Sequence, residues 1–141
     1  MLVAENVNFS RVISEDLWRV YAPRAERYGE KLVMYSSDVW RQFTNGREWY
    51  FKSQYGVYSE KTESADFTPL FGILEAGARV LNLESPHLVW VKAKGKDFLF
   101  PKGVTLYDDE FLLEADVASI DESGVILLNE GGVITWMKPQ K

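Results

Sequence analysis

Cysteine is absent from the 141 residues, and histidine occurs once, as His87. The first absence excludes disulfides, thiolate-ligated zinc, iron–sulfur clusters and a cysteine nucleophile; the second excludes any centre built from two imidazoles. No apolar run approaches the roughly 18 residues needed to span a membrane as a helix. The first residues, Met1-Leu2-Val3-Ala4-Glu5-Asn6, lack a basic segment followed by an apolar one, so no signal peptide is expected and the expected setting is cytoplasmic. There is no Gly-x-Ser-x-Gly elbow and no phosphate-binding glycine loop of the Walker or Rossmann type. No catalytic residue and no cofactor are therefore assigned.

What is present is an ordinary globular composition: 46% hydrophobic, 26% charged and 14% aromatic residues. A single domain over 1–141 of this size buries roughly two-thirds of the surface exposed by its unfolded chain, so it needs no covalent staple. Net charge is −5 and unevenly spread. Six of the seven arginines lie before residue 53, whereas residues 53–141 hold fourteen acids against eight basic residues. An acidic molecule is poorly suited to a duplex backbone and better suited to a partner protein with a basic surface.

Residues 1–30 are expected to form a helical arm. Ser14 followed by Glu15 and Asp16 has the chemistry of an N-cap, and Leu17, Val20, Tyr21 and Tyr28 fall near helical spacing. Pro23 would kink that helix, and Gly29 would end it. Residues 31–69 read as aromatic-rich strands followed by a loop over 59–69. Asn45-Gly46 is a two-residue hairpin signal that would pair Trp40–Thr44 with Arg47–Ser53. From residue 70 onward short β-runs recur, separated by turns such as Glu75-Ala76-Gly77, Lys94-Gly95-Lys96 and Asn129-Glu130-Gly131-Gly132. The expected fold class is thus α+β: a helical segment first, then a mostly antiparallel small β-barrel or sandwich. Its rhythm resembles that of an SH3-like barrel, without a diagnostic motif. The expected core draws on Leu17, Tyr21, Leu32, Trp49, Phe51, Val80, Val89, Val91, Leu112, Ile126, Leu128 and Ile134.

Eight of the twenty aromatics crowd into residues 35–58, with Arg41, Arg47 and Lys52 between them. On a strand, Trp49 and Phe51 would face one way and Tyr50 and Lys52 the other. Such a cluster serves as core, as an anchor for a protein partner, or as a stacking platform for single-stranded nucleic acid or sugar. Trp40, Arg47, Trp49, Tyr50 and Tyr55 are the candidate binding residues. Asp108-Asp109-Glu110 is either a solvated turn or a set of oxygen ligands for a divalent cation serving a metal-dependent hydrolase. Lys92, Lys94 and Lys96 suit protection of a strand edge, or contact with an anion. Glu60, Glu63 and Asp66 form an acidic loop. The expected function is a non-catalytic, acidic interaction module: an adaptor, an inhibitor or an assembly component, of possible viral or mobile-element origin.

Overall fold

The computed structural model describes residues 1–13, 15–93, 96–121 and 125–136. Within these the chain is entirely β, with thirteen antiparallel strands and no helix. The expected helical arm is instead a hairpin of two long strands, β1 (Leu2–Ile13) and β2 (Asp16–Tyr28), paired from Leu2–Arg27 to Ile13–Asp16 with one interruption. Ser14, the expected N-cap, lies outside the described residues. Gly29 does end an element, but as the positive-φ residue of the turn into β3 (Lys31–Gln42). The meander continues through β4 (Glu48–Ser59) and β5 (Ser64–Ala76). Residues 64–69, expected to be loop, belong to β5, and only 60–63 connect the strands.

The Asn45-Gly46 hairpin forms with a different register. Phe43 N–H donates to Arg47 O at 2.9 Å, Gly46 N–H donates to Phe43 O at 2.9 Å, and Gly46 sits at φ 88°. This is a three-residue loop: a turn followed by a glycine in the left-handed region, which takes up one residue more than a two-residue turn. Trp40 consequently pairs with Tyr50, and Arg41 with Trp49.

A crease runs across all five long strands. The paired registers skip Asn6 and Pro23 between β1 and β2, then Ser36, Gln54 and Pro69 in β3, β4 and β5, and these five positions lie opposite one another. Asn6 and Ser36 have φ of 52° and 56°. The interruption suits proline, which has no N–H to give to a ladder. At the crease the inward side changes parity. In β2 the inward residues are Asp16, Trp18, Val20 and Ala22, then Ala25; in β3 they are Arg41, Val39 and Ser37, then Met34; in β4 they are Trp49, Phe51 and Ser53, then Gly56, while Glu26 and Val33, opposite each other on the other side, are buried as well. The inner lining at the crease is small, with Ala22, Ser37 and Ser53 almost fully buried, so the two halves of each strand can fold toward one another.

The sheet branches there. The second half of β5 pairs with β6 (Arg79–Ser85), followed by β9 (Val104–Tyr107), β10 (Phe111–Ala115) and β13 (Val133–Trp136). Its first half pairs with β7 (Leu88–Ala93), followed by β8 (Lys96–Phe100), β11 (Val117–Ile120) and β12 (Ile126–Glu130). The branches close on a single core. Trp18 meets Trp90 at 5.6 Å and Phe98 at 5.9 Å between ring centroids, and Trp49 meets Phe98 at 5.1 Å. Of the expected core, Trp49 and Phe51 are buried, but Val80 and Ile134 are exposed and the others are half-buried. Val80 stands on the outer side of β6, where alternation puts it once the register is set, whereas Ile134 opposes Leu113 in the inward row with Leu106 and Leu83 and is exposed because β13 is the last strand of its branch.

Candidate functional site

The outer face of the sheet above the crease is built from cross-strand rows. One runs Arg19, Trp40, Tyr50, Ile73, Asn82, Tyr107; the next runs Tyr21, Asp38, Lys52, Phe71, Glu84, Thr105, Glu114. Directly opposed residues share a face and touch. Trp40 and Tyr50 pack at 5.2 Å, and the Arg19 guanidinium lies 5.9 Å from the Trp40 ring. Tyr50 donates its hydroxyl to Asp38 at 2.8 Å. Burial, with help from that carboxylate, pushes the Tyr50 phenol up to about 12, so it remains a donor at any physiological pH. Beside this pair Phe71, Ile73 and Val80 are 52%, 46% and 58% exposed and form an apolar strip, with Val80 diagonal to Ile73 and opposed by Glu75. Arg19 and Lys52 lie toward its β2 side and Glu84 and Glu114 toward its β10 side.

The five candidate binding residues therefore do not form one site. Trp40 and Tyr50 stand together on the outer face. Trp49, their chain neighbour, points into the core, against Phe43 at 4.8 Å. Arg47 sits in the β3–β4 loop, where its N–H donates to Asn45 Oδ1. Tyr55 lies across the crease, against Tyr35 at 5.7 Å. Residues 71, 73 and 80 complete the strip but carry no sequence signal, because their exposure depends on which face of β5 and β6 the core takes.

A second outer cluster surrounds Glu26. It accepts from Arg24 at 2.7 Å, from the Tyr35 hydroxyl at 2.9 Å and from the Tyr28 hydroxyl at 3.0 Å. The Arg24 bond, seconded by the two tyrosines, holds the Glu26 carboxyl below its usual range. His87 Nε2 contacts Asp66 Oδ1 at 2.7 Å, while Glu60 is gripped by both terminal nitrogens of Arg27, at 2.7 and 2.8 Å. Asp108, the first residue of the acidic run, closes a turn: Oδ1 accepts from Glu110 N–H and Phe111 N–H, and Oδ2 accepts from Arg79 at 2.8 Å. Burial alone would raise its pKa, but those donors outweigh it and the net shift is downward. Glu110 turns toward the same arginine at 3.5 Å. No group of three or more metal-ligating side chains gathers among the described residues. Lys94 lies outside them.

The inner angle of the crease holds a cavity of about 300 Å³. Trp18 and Val20 come from β2, Leu32, Met34 and Val39 from β3, Tyr58 from β4, Ala65 and Phe67 from β5, and Trp90 from β7. Phe9, Ser10 and Arg11 of β1, with Glu60, complete the wall. It requires the parity change: Val39 and Met34, both inward, lie five positions apart, an odd step. Strict alternation would turn one of them out.

No family model matches the chain, and no curated protein matches it significantly. No helix among the described residues is long and apolar enough to cross a membrane.

Proposed function

We propose that the chain is a non-catalytic interaction module that docks a protein partner on the outer face of β3–β6. The supporting observation is the group formed by Trp40, Tyr50, Phe71, Ile73 and Val80, which gathers apolar side chains on the outer face of strands already paired side by side. Aromatic side chains of this kind are suited to anchoring an interface, since they bury large areas for little lost rotamer freedom. Glu84 and Glu114 on one flank favour a partner that carries basic side chains beside its apolar contact, in keeping with the net charge of −5. A cytoplasmic setting belongs to this proposal.

Site-directed crosslinking in the native cell tests it. A photoreactive residue at position 73 is expected to give one discrete adduct, and the same residue at position 61, in the β4–β5 connection, is expected to give none. Phe71→Asp is expected to abolish the adduct while leaving the melting temperature close to wild type, since the ring is half in water. Equal labelling from positions 61 and 73, or no adduct from either, refutes the assignment.

A further inference from the structure

The crease cavity has a composition that the interaction surface does not use. Its wall is aromatic and aliphatic, and a volume of about 300 Å³ is at the lower end of pockets that hold small organic ligands. Two charged side chains line it, and they differ in status. Both carboxylate oxygens of Glu60 are engaged by Arg27. Arg11 stands opposite Trp18 on the cavity side of β1, is exposed, and has no ion-pair or hydrogen-bond partner among the described residues. Tyr58 adds a hydroxyl that likewise has no hydrogen-bond partner among them. Two unused donors, one of them cationic, thus border an apolar hollow whose single acid is already neutralised.

We propose that this cavity binds a small monocarboxylate with an apolar body, of the size of a medium-chain fatty acid. The chain would lie between Trp18, Met34, Phe67 and Trp90, and the carboxylate would meet Arg11. Burial of the chain supplies the non-specific part of the affinity. The guanidinium supplies the selection for an anionic head, because a charge-assisted, two-pronged bond to a carboxylate is stronger than one between neutral groups. An amphiphile with a cationic head would meet an unpaired arginine and be rejected.

The probe is decanoate, used below its micelle concentration and compared with decanol and decyltrimethylammonium on the full chain. Binding is read from intrinsic tryptophan fluorescence and from the ¹³C-labelled ε-methyl signal of Met34. Decanoate is expected to give a saturable response that moves the Met34 methyl and leaves that of Met1 in place. Arg11→Gln, a change at an exposed side chain, is expected to weaken decanoate about tenfold and to leave decanol unchanged. Leu32→Trp, which fills the cavity from its half-buried wall, is expected to block both. The proposal is overturned if decanoate leaves the Met34 methyl unmoved, if Arg11→Gln binds decanoate as well as wild type does, or if the cationic amphiphile binds more tightly than decanoate.

Discussion

Replacement of Asp16 by alanine is expected to destabilise the protein far more than an ordinary ion pair would. Arg41 is 94% enclosed and donates to Asp16 Oδ2 from Nη2 at 2.6 Å and from Nε at 3.1 Å. Its guanidinium lies 4.2 Å from the Phe43 ring centroid, 4.7 Å from Trp18, 5.5 Å from Phe98 and 5.6 Å from Trp49. Removing the carboxylate takes away the acceptor that Nη2 and Nε share, and breaking a buried pair by deleting one partner typically costs about 3–5 kcal/mol. The ring faces recover part of this, at about 0.5–2 kcal/mol per favourable contact, so a net loss of about 3 kcal/mol is expected. For a domain of this size that corresponds to a fall in Tm of roughly 10 °C. Urea unfolding followed by tryptophan fluorescence measures it, with Arg41→Met and the double variant Asp16→Ala/Arg41→Met completing a cycle. The double variant is expected to be more stable than Asp16→Ala, since two apolar groups need no mutual compensation. The Asp16→Ala loss is also expected to persist at 1 M salt, because enclosed charges are poorly screened. A loss below about 0.5 kcal/mol for Asp16→Ala, or simple additivity around the cycle, refutes the coupling.

Two further outcomes follow from the same structure. Glu26, Glu60 and Asp108 are all held below their ordinary carboxyl values by Arg24, Arg27 and the donors around Asp108, respectively. A depressed pKa means that the folded state favours the ionised form, so this stabilisation is complete above the unfolded pKa and is lost as the pH falls through the folded value. Tm is therefore expected to be level near neutrality and to decline below about pH 4, with a shallower decline in Glu26→Gln; an unchanged acid profile in that variant contradicts the assignment. At Gly72 an added Cβ would come 2.5 Å from Tyr50 O and 2.8 Å from Phe51 Cβ, both on the paired strand β4. Gly72→Ala is expected to cost about 2 kcal/mol or more in urea unfolding, and a neutral result shows that β4 and β5 separate more easily than their ladder suggests.

The crease and the apolar residues on both faces of β2 together explain why the first 30 residues imitate a helix. A strand interrupted by one left-handed or unpaired residue carries its inward side chains at spacings of two, then three, then two, as Ala22 to Ala25 does in β2. A step of three is also the near repeat of an α-helix, and ahead of the crease Leu17 and Tyr21 on the outer side of β2 alternate with Val20 on the inner side, so apolar residues of two strand faces fall together at helical spacing. Pro23 contributed to the ambiguity, since it kinks a helix and equally occupies a break in a ladder. Its counterpart Pro69 made the beginning of β5 resemble a loop.

Local chemistry was enough to place most strands after residue 79, because their turn residues and short β-rich runs act over a few neighbours whatever the rest of the chain does. It also separated Trp49 and Phe51 from Tyr50 and Lys52, since alternation is a property of a single strand. Three features were decided only by tertiary pairing. The crease exists because five positions far apart in the chain come into line; the exposure of Phe71, Ile73 and Val80 depends on which face the core occupies; and the cavity is walled by residues of six strands. Each of these is set by long-range register, and a shift of one residue between neighbouring strands would exchange the buried and exposed faces without altering the amino-acid order.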